Sequence, residues 1–408
     1  MATLAENAAA VKAAQVAIDA AIVAKGGTTT GGLTNAAAAI EALPSGDEEW
    51  EPQGGWPTDN VSRIYIHLDE YDSLDYYVKI AYRGGNNGYF QIDWGDGTVE
   101  PFNTERKTHT YSAPGDYVIK IERTAAGLAA DAKYYHGAYY HNIFGAGWNE
   151  LGEGDGGRSA TVIGLYISDF FAWDTAHTSS SGRSDFCYLP NLKGVKINGF
   201  RFDVVDGKVG IGSFAFIGCY ALRSLTIPQG VTSIGASAFN NCTALRSLTI
   251  PQGVTSIGAS AFSNCFSLRS LTILQGVTSI GASAFGNCYA LSNIVIPDTV
   301  ETIESKSFGR CRSATKIVIG SGCHTIGDGA FRFNGTGGSQ NNYTVVCHAL
   351  TPPNLGGSTV FDNAANMTIF VPYSADHSVL DTYKLATNWS AYASKIRELN
   401  EDGTTPEV

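Results

Sequence analysis

Residues 222–245 read LRSLTIPQGVTSIGASAFNNCTAL. Residues 246–268 repeat this almost letter for letter as RSLTIPQGVTSIGASAFSNCFSL, and residues 269–291 do so again as RSLTILQGVTSIGASAFGNCYAL. The same marks continue on both sides. Phe216, Phe239, Phe262, Phe285, Phe308 and Phe331 lie 23 residues apart, as do Cys219, Cys242, Cys265, Cys288 and Cys311. Ile211, Ile234, Ile257, Ile280, Ile303 and Ile326 keep the same interval. Self-similarity at a fixed period of about 20–29 residues marks a solenoid, because a unit that short cannot bury its own apolar face and must stack on its neighbours. Within one coil, Leu225 and Ile227 are expected on the inner side of a short strand, with Ser224 and Thr226 on the outer side.

The pattern SIGxxAFxxCxxLxxLTIPxxV resembles the leucine-rich repeats of the BspA-like class, and the resemblance covers residues 190–372. It implies a solenoid that offers an extended recognition face. The last copy decays: Asn334 stands where a sixth ladder cysteine would fall, and Ile369, Val371 and Pro372 restore one strand. Residues 377–399 read as a closing helical segment, and 373–408 as a C-terminal cap that shields the last apolar edge.

Five of the eight cysteines belong to the repeat; Cys187, Cys323 and Cys347 do not. A cysteine at a fixed core position is expected to be a small buried hydrophobe. No Cys-x-x-Cys pair is present to hold zinc. The letters that drift between copies surround this cysteine. The residue after it reads Tyr220, Thr243, Phe266, Tyr289 and Arg312. A packed position would be held to one size, so this variation predicts exposure. Stacking would align the five residues in one stripe. Aromatic rings and an arginine suit flat surfaces such as sugar rings; the competing reading is drift at a solvated turn.

The N-terminal side is different in kind. Leu4, Ala8, Val11, Gln15, Ile18 and Ile22 recur at alternating spacings of four and three, a heptad seam that predicts a helix. Residues 1–45 are therefore expected to be a helical assembly or oligomerisation anchor, with Leu4, Val11, Ile18 and Ile22 as its contact residues. An acidic, Gly- and Pro-rich linker follows. Runs of alternating apolar and polar residues then predict strands, among them Phe90–Trp94, which ends at the turn Gly95-Asp96-Gly97. WGDGT (94–98) followed by HTYSAPGDYVIKI (109–121) resembles a polycystic-kidney-disease (PKD) type domain, which implies an immunoglobulin-like β-sandwich over 46–125. The resemblance places any calcium at Asp93 and Asp96, although Asp96 is expected to fix its own turn through backbone hydrogen bonds. Residues 126–189, with KYYHGAYYHNIF from Lys133 and GEGDGG from Gly152, read as a long insertion or connection. The aromatic run Tyr134–His141 serves either sugar stacking or packing beneath a loop.

The expected fold class is mainly β and multidomain: N-terminal helix, immunoglobulin-like β-sandwich, leucine-rich-repeat solenoid, C-terminal helical cap. Of 408 residues, 44% are hydrophobic and 16% charged, with a formal net charge of −11. The 27 lysines and arginines form no cluster, so no nucleic-acid footprint is expected. No apolar run approaches the roughly 18–20 residues that span a bilayer, so no membrane insertion is expected. The start lacks the basic opening of an export signal. Gly152-x-Gly154-x-x-Gly157 has dinucleotide-binding spacing, but no strand leads into it and its own acids oppose a pyrophosphate. With no His-Glu-x-x-His, phosphate-binding loop or Gly-x-Ser-x-Gly, the protein is expected to be non-enzymatic, without a cofactor or metal.

Residues 26–43 and the ending VPYSADHSVLDTYKLATNWSAYASKI (371–396) resemble segments of phage and prophage tail proteins. The first expectation is accordingly a bacteriophage virion structural protein, tail- or fibre-associated, assembled in the host cytoplasm. It would join other virion proteins through the N-terminal helix, form a homo-oligomer, and attach to a host surface glycan or protein. The alternative is a bacterial cell-surface adhesin built from the same modules.

Overall fold

The computed structural model describes residues 61–68, 75–79, 90–101, 106–126, 134–135, 161–167, 171–172, 192–197, 210–333, 343–361 and 367–406. The expected N-terminal helix, Cys187 and the glycine-rich stretch from Gly152 lie outside them.

From residue 210 onward the chain winds into parallel coils. One parallel sheet is a stack of two-residue strands: Gly210–Ile211, Ser233–Ile234, Ser256–Ile257, Ser279–Ile280, Thr302–Ile303, Thr325–Ile326 and Asn354–Leu355. The Leu-Thr-Ile segments form the other strand of each coil. Ser247–Ile250 pairs in register with Ser270–Ile273, and Asn293–Ile296 with Lys316–Ile319. Leu248 and Ile250 are buried while Thr249 is exposed, the alternation expected of a strand with one packed face. Ser224 departs from it, being buried at the start of the stack.

Two sequence features fix the coil. Gly258 is required by close approach: a Cβ there would lie 2.6 Å from the Ala236 nitrogen in the previous coil. Phe216, Phe239, Phe262, Phe285, Phe308 and Phe331 form a buried ladder, each ring stacked on the next with centroids 5.1–5.5 Å apart. Fully burying one such ring contributes about 1.5–3 kcal/mol. Phe361 extends the ladder by one ring, 5.7 Å beyond Phe331. Sequence reasoning missed it because it stands 30 residues on, after an insertion, rather than 23.

The C-terminal cap ends this ladder. Trp389 and Tyr392 pack their rings against Phe361. The Trp389 indole N–H donates to the Pro353 carbonyl (2.7 Å), the Tyr383 hydroxyl to Ala349 (2.7 Å) and the Asn388 amide to Leu355 (2.8 Å). These bonds satisfy carbonyls that a further coil would otherwise have covered. The segment expected to be helical throughout is only partly so. Ser378–Leu385 is an α-helix and Trp389–Lys395 a 3-10 helix, but Ile396–Glu398 is a strand pairing with Thr368–Val371. An exposed parallel edge gains more from a strand than from another helical turn, because the strand pairs its free backbone groups.

Before the solenoid, Ser62–Leu68 pairs antiparallel with Gly115–Arg123, which pairs with Phe90–Asp93; Asp75–Lys79 and Arg106–Thr110 make a separate two-stranded sheet. Ile64, Ile66, Ile92, Trp94, Tyr111, Ile119 and Ile121 are buried between these strands, and the Tyr111 hydroxyl donates to the Trp94 carbonyl (2.9 Å). The stretch 126–189, read from sequence as a connection, supplies the strand Thr161–Ile167. That strand pairs antiparallel with Ser62–Leu68 and parallel with Gly194–Ile197, which in turn pairs with Ser224–Thr226. One seven-stranded sheet therefore runs from the N-terminal β-block into the first coils. The signal was present: TVIGLYI is rich in β-branched residues and bounded by Ser and Gly.

Candidate recognition surface

The five stripe residues are brought together. The Ala244, Ser267, Ala290 and Ser313 amides donate to the carbonyls of Tyr220, Thr243, Phe266 and Tyr289 one coil earlier, at 3.1–3.2 Å. This backbone ladder holds each side chain over its predecessor. The Phe266 and Tyr289 rings stack with centroids 5.0 Å apart and planes 8° from parallel. The Arg312 guanidinium carbon lies 4.7 Å from the Tyr289 ring centroid, a cation–π arrangement. The Thr243 hydroxyl donates to the Tyr220 carbonyl (3.1 Å). Tyr220 is 46% exposed and Phe266 40%; Arg312 is exposed, and Thr243 and Tyr289 are half-buried. With coils about 5 Å apart, four intervals make a strip on the order of 20 Å long. Its rings are already ordered, so a flat ligand meeting them displaces water with little loss of side-chain freedom.

One residue earlier in each turn, the cysteines do something else. Cys219, Cys242, Cys265, Cys288 and Cys311 are buried free thiols. The Sγ of Cys242 donates to the Phe216 carbonyl (3.4 Å), and Cys265, Cys288 and Cys311 repeat this bond one coil further each time. Burial pushes the Cys288 thiol up to about 12 and holds its neighbours in the same direction. They are core atoms that also satisfy a carbonyl, in keeping with the expectation from sequence.

The acidic turn Asp93–Asp96 is saturated by the protein. Asp93 accepts from the Gly95 amide (2.9 Å) and the Lys120 ammonium (2.8 Å). Asp96 accepts from the Thr98 amide (3.0 Å) and faces the His109 ring (2.7 Å). Partial burial raises both carboxyls, and these hydrogen bonds outweigh it, leaving both below the ordinary carboxylate range. A calcium ion would meet an ammonium and an imidazole where it needs free oxygens, so the residues do not fit it. Asp96 holds its own turn, as its position in the sequence suggested. Among the described residues no group of three or more His, Cys, Asp or Glu is placed to hold a metal, and no helix is long and apolar enough to cross a membrane. The side chains of Tyr134–His141 lie outside the description.

No curated protein is significantly similar to the chain. Its fold is similar to a leucine-rich repeat protein from Bacteroides ovatus, at 19% identity and a TM-score of 0.36, over 59% of this chain and 73% of that one. It is similar also to a T. pallidum leucine rich repeat protein, at 25% identity and TM-score 0.30, over 42% and 72% of the two chains. A leucine rich cell surface protein from Faecalibacterium prausnitzii aligns at 17% identity and TM-score 0.25, over 68% and 95%. Residues 209–336 match the BspA type leucine rich repeat region in six copies, and this part of the chain is a BspA-type repeat solenoid.

Proposed function

We propose that the protein is a non-enzymatic adhesin of a bacterial cell surface, whose solenoid recognises a host glycan or protein through the stripe Tyr220–Arg312. One observation carries this reading: a stacked aromatic and cationic column is left exposed on a scaffold that buries its other aromatic column completely. The β-block at 46–125 serves as a PKD-type spacer, and the N-terminal seam Leu4, Val11, Ile18 and Ile22 joins copies of the chain. The bacteriophage reading rests on loose resemblances at the two ends, and neither the fold nor the repeat region adds to it, so the adhesin replaces it as the main reading.

The test has two arms. Protease shaving of intact producing cells should release peptides of residues 209–336; finding the chain in purified virions instead would restore the phage reading. Wild-type protein should bind a printed glycan array or intact epithelial cells, and F266S/Y289S should lose that binding while melting at the same temperature. Equal binding by the variant would remove the stripe from the account.

A further inference from the structure

A groove of about 410 Å³ lies against the turns of the third to sixth coils, and every residue lining it is glycine or polar. Its size falls in the range of about 300–1,000 Å³ usual for ligand sites, but its lining suits a hydroxylated ligand rather than an apolar one. Gly286 and Gly309 form part of its floor where earlier coils carry Asn240 and Ser263.

Two columns of the turn change character here. Ser237, Ser260 and Ser283 share a left-handed backbone (φ 55°), and the next coil places Lys306 at φ 57°. Asn241, Asn264 and Asn287 share a second left-handed position, and the next coil places Arg310 there at φ 63°. Asparagine tolerates that conformation readily; lysine and arginine hold it at a cost. Arg310 thus stands at a strained position where three preceding copies use the tolerant asparagine, and Lys306 adds a second cation at a position filled by Phe214 and then by serines in the preceding coils. Arg332 lines the same groove. Asp328, the one acid in the lining, accepts a hydrogen bond from the Thr359 hydroxyl. Among the described residues, Lys306 and Arg310 are in no ion pair. Beside them the Asn287 amide nitrogen donates to Asn264 (2.8 Å), while its buried Oδ1 has no hydrogen-bond partner.

We infer that this groove binds a carboxylate-bearing sugar of an acidic polysaccharide. A guanidinium fork pairs with a carboxylate through two parallel hydrogen bonds, and the Lys306 ammonium adds a point charge beside it. Ser283 and Asn287 line the groove beside the two cations and keep its wall polar. The inference uses none of the stripe side chains and does not depend on their role.

Calorimetric titration of the full chain with trigalacturonate tests it, against the methyl-esterified trisaccharide and inorganic sulfate. The acid form should bind, the ester about tenfold more weakly or worse, as expected when charge-assisted bonds are lost. K306S/R310N restores the residues of the preceding coil, so it should fold as well as wild type and bind trigalacturonate at least about tenfold more weakly. F266S/Y289S should bind as wild type does. Equal affinity for the ester, full competition by sulfate, unchanged binding by K306S/R310N, or no binding by wild type would each overturn the inference. Loss of trigalacturonate binding in F266S/Y289S alone would move the ligand to the stripe and overturn it as well.

Discussion

Rings stack at two places along the solenoid, four residues apart in each coil: an inner column from Phe216 to Phe361 and an outer pair, Phe266 and Tyr289, capped by Arg312. Phe262 and Phe285 stack at 5.4 Å and 5°, and Phe266 and Tyr289 at 5.0 Å and 8°. The geometry is the same because the coil repeat imposes it on anything placed at one position per turn. Surroundings separate them: Phe262 is fully buried, Phe266 is 40% exposed. The inner column holds one residue type for six coils. The outer one runs Tyr, Thr, Phe, Tyr, Arg. Stacking therefore does not reveal purpose in this molecule. The inner column is what packing requires, and the outer one is what packing leaves free to be used.

The largest effect should come from breaking the inner column. Phe262→Ala should cost about 3–5 kcal/mol, from lost transfer energy plus the cavity left between Phe239 and Phe285. Phe266→Ala should stay within about 0.5 kcal/mol, as exposed positions do. Guanidinium unfolding of the two variants measures the contrast, and equal costs would erase it.

Next in size is the coil contact itself. A methyl on Gly258 would press on backbone atoms of Gly235 and Ala236 at 2.6–2.7 Å, which no rotamer change relieves. Gly258→Ala should cost about 1–3 kcal/mol by overpacking, read in the same experiment. Gly253→Ala is a control for backbone conformation alone, since the nearest atom there is 3.6 Å away.

The buried thiols sharpen the inside–outside division further. They should resist a thiol reagent in native protein and react once it is unfolded. Their folded-state pKa is raised, so the unfolded chain ionises first. The stability they contribute is complete below about pH 9 and drains away as pH rises towards 12. Melting curves across that window should show a falling Tm that substitution of Cys288 by Ala lessens.

The smallest effect concerns the Asp93–Asp96 turn. Its carboxyls sit below their ordinary 3.8, so the stability they add is present above that value and lost as pH falls through the lower folded-state values. Asp96→Asn should flatten the acid limb of a pH–Tm curve; an unchanged limb would show that the turn is held by other means.

The solenoid was legible from the 23-residue interval alone; of the stripe expected to be exposed, Tyr220, Phe266 and Arg312 are exposed, while Thr243 and Tyr289 are half-buried against their stacked neighbours. Other features had weaker signals. Phe361 was hidden by an insertion that breaks the interval. Strand Thr161–Ile167 sits between stretches without period, and only its partners at Ser62–Leu68 and Gly194–Ile197 give it a role. The final strand at Ile396–Glu398 was masked by a helical run before it; the open sheet edge, a tertiary feature, decides it. In the groove, Lys306 and Arg310 share one turn, and Arg332 joins them only because the next coil stacks on theirs.

The most direct test of the account is the binding of F266S/Y289S beside wild type on one glycan array, with thermal melts run on the same samples. The account predicts matching melts and a loss of the wild-type binding pattern. Matching melts with the pattern intact would contradict it, leaving the outer column as an unselected surface of a well-packed solenoid.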